Sequence, residues 1–344
     1  MIKELVNFSK SLSEDFKSLG KKPKEGLHIL LQAKENGEIN STADTIHFEY
    51  YNKKIDEVSP FLKKCLQLQE NAWMIDTNKC LDTTTRAIHS CSPFSVGIKK
   101  DNLIGGQNYE KRKSEGKSLV YDSFDNYFEK AADLLETVEN EYIINVSESF
   151  ASFFINKSWQ VIWDDIENQR ATKYNLIQSK IEHLKEKNKQ IKDKVNKAVI
   201  QEQIENLEEE AIIFQPLSDG EYIIFYVDVG IEFYKMTHTK YLDERLFNTS
   251  KYNTKPNSEG LIYGTSDFMN TFNAKMPFLM HQSATFDIPN RISNLDAIAL
   301  FEFEDVLKNK TLPNPLPVFV YKSEWREKVI ALYAEGRRNF RDII

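Results

Sequence analysis

Apolar and polar positions along this chain change period several times, and each change marks an expected element. The opening segment MIKELVNFSKSLSEDFKSL carries Ile2, Leu5, Val6, Leu12, Phe16 and Leu19 at roughly helical spacing with charges between them, which predicts an amphipathic helix. LHILLQAK and IHFEYYNKKI then read as strands, followed by a helix from Pro60 to about Trp73. The next tract, SPFSVGIKKDNLIGGQNYEKRKSEGK, has the composition of a loop. Between Gly116 and Pro216 there is neither glycine nor proline, and FDNYFEKAADLLETV, ESFASFFINKSWQVIWDDI and a long polar stretch repeat with helical period. EYIIFYVDVGIEFYK is rich in β-branched and aromatic residues and predicts a strand. A polar segment, a helix near Asp296 to Leu307, an extended LPNPLPVFVY and a last amphipathic helix with Trp325, Val329, Leu332 and Tyr333 complete the pattern. The expected class is α+β and helix-dominated, with a small mixed or antiparallel sheet and a long helical middle region. Three consecutive parts are expected: 1–120 with the basic loop, 121–215 helical, and 216–344 α+β with a long polar loop.

Within the helical middle, Ile177, Ile181, Leu184, Asn188, Ile191, Val195 and Ala198 alternate by four and three residues, a heptad seam about three repeats long. Such a short seam is expected to pack on a neighbouring helix rather than stand as a free rod. From Lys173 to Lys197 eight lysines face Glu182, Glu186 and Asp193. Immediately afterwards come Glu202, Glu205, Glu208, Glu209 and Glu210 without a basic residue among them.

Composition alters this picture only at the margins. At 344 residues, with 41% hydrophobic and 12% aromatic residues, the chain can bury a substantial core. No run of about eighteen apolar residues is available to span a membrane, and the N-terminal segment lacks the unbroken apolar stretch of a signal peptide, so a cytoplasmic location is expected. A net charge of -7 speaks against a protein that coats nucleic acid over its whole surface and leaves room for a local basic patch. Cys65, Cys80 and Cys91 are spaced too widely for a paired-thiol zinc knuckle and are expected to be reduced structural thiols.

Several chemistries were tested against spacing. Gly116-Lys117-Ser118 lacks the preceding glycine and strand that a phosphate-binding loop requires. None of the six histidines pairs with another, or with cysteine, at metal-ligand spacing. Asp228 in YVDVG lies on an expected strand, as carboxylates of two-metal nucleases do, but that chemistry needs further converging acids, for which Asp164, Asp165 and Glu167 are the available candidates. A metal-dependent nuclease at Asp228 therefore stands as one alternative reading, and a protein-only scaffold using the heptad helix as another. The reading preferred from the residues is recognition without catalysis, metal or cofactor.

The tract from Lys99 to Lys117 holds Lys99, Lys100, Lys111, Arg112, Lys113 and Lys117 against Asp101, Glu110 and Glu115. Gly105 and Gly106 permit close backbone approach, and Asn102, Gln107 and Asn108 have side chains able to read base edges. The lysines would contact phosphates, although a flexible, solvated surface loop is the simpler explanation of them. Asn270, Asn273 and Lys275, interleaved with Phe268, Phe272 and Phe278, suit base stacking with polar readout, or a loop anchored by its Phe residues.

YGTSDFMNTFNAKMPFLMHQSATFDIPNRIS followed by LDAIALFEFEDVLKNKTLPNPLPVFV resembles the central part of the large subunit of subtype I-B CRISPR Cascade complexes. The N-terminal helix with its HILLQAK strand, and IHSCSPFSVGIKKDNL, are compatible with the same family. Many members carry cysteine pairs near the polar segment that resemble a zinc site. Residues 241–281 of this chain contain no cysteine, so no metal is expected. Members are also generally longer, which suggests a compact or truncated version. The resemblance implies a non-catalytic subunit of an RNA-guided surveillance complex. Its partners would be guide RNA, target double-stranded DNA, backbone and small Cascade subunits and a helicase-nuclease. Such a subunit recognises the motif flanking the target and helps open the duplex, while guide pairing reads the sequence. Gly105 to Asn108 is the expected inserting loop.

Overall fold

The most continuous apolar runs, in LHILLQA and YIIFYV, become the central strands of a sheet. Strands buried on both faces read as unbroken hydrophobic stretches, and these two pair in parallel. The computed structural model describes residues 2–312 apart from 42–45, 55–56, 191–193, 248–252, 255, 257, 259 and 267–290. The expected extended segment after Pro313 and the last amphipathic helix lie outside the described residues.

The sheet is built from β1 (Gly26–Ala33), β2 (Ile39–Asn40), β3 (His47–Tyr51), β4 (Ser95–Lys99) and β5 (Tyr222–Val227). β2 and β3 both pair antiparallel with β1, β1 runs parallel to β5, and β5 runs antiparallel to β4. Bridges Ile88–Ile98 and Trp73–Ser90 continue the pairing beyond β4. Gly26 pairs with Tyr222, and a Cβ there would lie 1.9 Å from the Tyr222 carbonyl oxygen, so only glycine allows this approach.

The chain has ten α-helices among the described residues, and the α+β, helix-dominated class is observed. α3 (Pro60–Glu70) starts on an N-cap from Ser59 with proline in the first turn. The strand expected over EYIIFYVDVGIEFYK ends at Val227, and Ile231–Arg245 forms α9. The cause is a change of period: Tyr234, Thr237, Tyr241 and Leu242 recur at helical spacing and are the residues α9 buries. His238 accordingly lies within a helix, stacked on Tyr241 at 6.0 Å. α3 packs against β1, β3 and α9.

The other side of the sheet carries the aromatic core. Phe225 meets Phe154 at 5.3 Å, Trp159 at 6.1 Å and Phe153 at 6.4 Å between ring centroids. Phe124 and Phe128 extend the cluster, mostly in the tilted or edge-to-face geometries that ring quadrupoles favour. These rings come from α5 (Phe124–Asp133), α6 (Glu141–Ile155) and the start of α7 (Ser158–Gln190). Cys65, Cys80 and Cys91 are buried free thiols, and burial raises the thiol pKa of all three.

The heptad seam does not continue as one line. α7 packs against α8 (Lys194–Phe214), and Ile177 and Ile181 form a core with Ile200, Ile204 and Ala211, flanked by Leu184 and Leu207. Val195, expected on the seam, is 71% exposed, and Ala198 is exposed as well. Folding the helices back on each other brings the lysine-rich arm beside the glutamate-rich one, and Lys185 pairs with Glu208 at 2.7 Å. Both side chains are half exposed, so Lys185→Glu should cost less than about 1 kcal/mol in urea unfolding, and high salt should shrink the loss.

The described residues divide into two compact units, one over 22–245 and one formed by those before 22 together with those from 246 on. β5, from the expected third part, pairs with β1 and β4 of the first on its two edges. In the second unit, α1 (Ile2–Ser11) packs on α10 (Asn294–Lys308) through Val6, Ala299 and Leu300. Lys10–Asp296 at 2.9 Å and Lys17–Glu302 at 2.8 Å flank the contact. This unit also holds α2 (Glu14–Ser18) and the paired β6 (Tyr263–Gly264) and β7 (Ile292–Ser293). No helix among the described residues is long and apolar enough to cross a membrane.

Candidate nucleic-acid interface

The basic tract is an ordered strand, turn and helix rather than a loop. β4 ends at Lys99, and residues 100–102 form a single 3-10 turn tied down by Lys100 N to Glu221 O at 2.8 Å and Asp101 N to Asp219 O at 3.2 Å. Gly106 permits the chain to fold back, because a Cβ there would sit 2.5 Å from the Asp101 backbone. Gly106 then becomes the N-cap of α4 (Gln107–Ser114). Gly105 has φ +81° with no neighbouring atom within 4 Å of an added Cβ, so the tip is open and its backbone favours glycine.

This architecture sorts the candidate residues. Asn102 is buried, and its Oδ1 accepts from Asn108 Nδ2 at 2.6 Å, so these two amides hold the turn rather than face a ligand. Gln107 is exposed at the start of α4, with its backbone N–H directed to Asp219 Oδ2 at 3.4 Å. Lys100 is only 16% exposed, lying over Trp163 at 5.2 Å and beside Glu167 at 3.6 Å. Arg112 Nε donates to Ser118 O at 2.7 Å and Lys117 pairs with Glu115 at 2.7 Å. Lys111 and Lys113 stay exposed on α4, the latter with its ammonium 5.8 Å from the Tyr109 ring centroid. The segment Gly105 to Asn108, expected as an inserting loop, is part turn and part helix. Gln107 and Asn108 are helical, and the projecting part is Ile104–Gly105, with Ile104 61% exposed directly after buried Leu103. Asn270, Asn273 and Lys275 lie outside the described residues.

Asp228 follows β5 rather than lying inside it. Its carboxylate meets Lys64 Nζ at 2.6 Å and Gln32 Nε2 at 2.8 Å, while Glu167 pairs with Lys100 and Asp165 accepts from Gln169. Of the carboxylates weighed with it, Asp165 and Glu167 are thus engaged elsewhere. Among the described residues no group of three or more His, Cys, Asp or Glu could hold a metal ion.

A second constellation was invisible in the sequence because its members are far apart. Trp73, His89 and Tyr222 form a three-ring cluster, with centroids 5.1 Å apart for Trp73–Tyr222, 5.4 Å for His89–Tyr222 and 6.0 Å for Trp73–His89. His89 Nδ1 and the Tyr222 hydroxyl are 2.9 Å apart. Lys24 lies over Trp73 at 5.4 Å and Lys99 over Tyr222 at 5.7 Å. Burial, reinforced by Lys99 and Lys24, lowers the His89 pKa to about 4, so its ring is neutral at physiological pH. A cation over a ring at a partly exposed site contributes about 0.5–1 kcal/mol, whereas a stacked base contributes about 1–3 kcal/mol. The chain matches no protein-family model, no curated protein and no solved structure.

Proposed function

We propose that this chain is the non-catalytic large subunit of a type I-B CRISPR Cascade complex in the cytoplasm, recognising the motif beside a target and helping the duplex open. The assembly and its partners, namely guide RNA, target DNA, backbone and small subunits and a helicase-nuclease, come from the sequence resemblance. The observation that supports a DNA-opening role is the Ile104–Gly105 tip. An exposed aliphatic side chain stands on a turn braced by Gly106 and the Asn102–Asn108 pair, with Lys111 and Lys113 on the helix that follows. Proteins that kink or unstack duplexes insert apolar wedges of this kind, while neighbouring cations hold phosphates. A net charge of -7 suits a contact confined to such a patch.

In a complex reconstituted with guide RNA and backbone subunits, Ile104→Ala should weaken binding to an intact target duplex about tenfold, the scale expected when part of an unstacking cost of a few kcal/mol is no longer offset. Binding to the same target carrying a pre-opened bubble should stay near wild type. Equal losses on both targets, or no loss on the duplex, would remove the wedge role.

A further inference from the structure

We propose that the Trp73–His89–Tyr222 cluster is a stacking site for an unpaired nucleotide, with Lys24 and Lys99 as its phosphate contacts. The proposal rests on the nucleic-acid reading above, but assigns a different surface and a different state of the ligand, a base already out of its pair.

The sheet is shaped for it. Tyr222 opens β5 opposite Lys99, and Gly97 stands two residues before Lys99 on the same face of β4. A Cβ on Gly97 would lie 2.8 Å from the Trp73 indole, so the missing side chain makes the recess in which that ring rests. Trp73 meets Tyr222 and His89 nearly edge to face, at 76° and 79°, and the contact between His89 Nδ1 and the Tyr222 hydroxyl fixes their mutual orientation. All three rings are only partly buried. What lies over them is ammonium: Lys24 over Trp73, from the segment entering β1, and Lys99 over Tyr222, from the end of β4.

An ammonium on a flexible four-carbon stem is a replaceable cover. A base has a π-face of its own and can take the place of the ammonium, which then remains within reach of the phosphate attached to that base. Neutral His89 adds ring surface without charge. Bases inside a duplex have both faces covered by their neighbours, so the cluster selects unpaired residues, from guide RNA, a displaced DNA strand or a free nucleotide.

The test titrates the full chain with a short fluorescent oligothymidylate, an abasic oligomer of equal length, and AMP. Wild type should bind the oligothymidylate and hold the abasic oligomer at least about tenfold more weakly, while Trp73→Ala should lose about tenfold and Trp73→Phe much less. Because Trp73 also bridges Ser90, the charge-removing variants Lys24→Gln and Lys99→Gln provide the second arm: both should stay folded at the assay temperature, and together they should reduce the salt slope by about one to two. AMP competing as well as the oligomer would identify a free-nucleotide site; weaker competition, a strand site. No binding by wild type, equal binding of the abasic oligomer, or an unchanged salt slope in the lysine double variant overturns the proposal. Ile104→Ala should bind oligothymidylate normally, so loss of duplex opening alone and loss of stacking alone separate the two readings.

Discussion

Lowering the pH from neutral to about 5 is expected to remove about 2 kcal/mol of stability from residues 22–245 through His28 alone. His28 is fully buried on β1, stacked on Tyr226. Its Nε2 is 2.9 Å from the Lys24 carbonyl oxygen, which can only accept, so Nε2 carries the proton and Nδ1 accepts from the Tyr226 hydroxyl at 3.1 Å. Both nitrogens are satisfied in the neutral ring, and burial pushes the pKa down to about 4 despite the help of the Lys24 carbonyl. The unfolded chain takes up a proton near pH 6.5 while the folded one refuses it until about pH 4. Stability is therefore fully present above about pH 6.5 and falls as pH declines toward 4. His89, whose pKa burial also lowers to about 4, adds a loss in the same window. Urea unfolding followed by tryptophan fluorescence, with Trp73, Trp159 and Trp163 all in this unit, measures it. His28→Gln should be less stable at neutral pH yet lose about 2 kcal/mol less than wild type on acidification. Parallel losses in the two proteins would show that His28 is not the group responsible.

The elements legible in the sequence were those whose information is local. LHILL and YIIFYV announce buried strands by their unbroken apolar character, and Ser59-Pro60 announces a helix start by its capping chemistry. The glycine- and proline-free middle yielded helices α5 to α8. Errors fell where one local signal masked another. The heptad spacing from Ile177 to Ala198 crosses the end of α7 without a breaker residue, so the seam read as continuous where two helices meet. The better clue was charge: an arm of lysines followed by an arm of glutamates is self-complementary only when folded back. At Val227 the apolar run passes into α9 through Val229-Gly230, and only the change from period two to a helical period separates strand from helix.

For the candidate site the division is sharper. Cations between Lys99 and Lys117 can be counted in a sequence, but their engagement cannot. Lys100 turns inward to Trp163 because α7 passes beside it, and Asn102 and Asn108 bond to each other because Gly106 closes the turn. Ile104 drew no attention as a lone apolar residue in a polar tract. The ring cluster needs β4, β5 and the bridges at Trp73 and Ile88 all in place, and no window of sequence contains it.

The segment that delivers His89 to that cluster depends on one carboxylate, and Asp82→Ala is expected to cost about 4 kcal/mol in urea unfolding. Asp82 is completely buried. Its Oδ1 accepts from the backbone N–H of Thr84 at 3.0 Å and Thr85 at 2.9 Å. Its Oδ2 accepts from the Thr85 hydroxyl at 2.6 Å and from the N–H groups of Ala87 at 2.8 Å and Ile88 at 3.4 Å. Cys80 Sγ contacts its carbonyl oxygen at 2.9 Å. The Ala87 N–H also reaches the Thr85 hydroxyl at 3.3 Å, and Arg86 is already held at φ +56°, so the loop has little freedom to turn its N–H groups toward water. Each deprived buried donor costs about 1–3 kcal/mol, and relaxation of the loop keeps the total below their sum. Asp82→Asn retains one carbonyl oxygen but presents an NH2 group to the other donors, so about half the loss is expected. Because Ile88 bridges to Ile98 beside His89, the alanine variant should also displace His89 from Tyr222 and weaken oligothymidylate binding even under conditions where the protein remains folded. An alanine variant within about 1 kcal/mol of wild type would mean that the loop satisfies its donors in another way, and that the ring cluster does not depend on Asp82 for its shape.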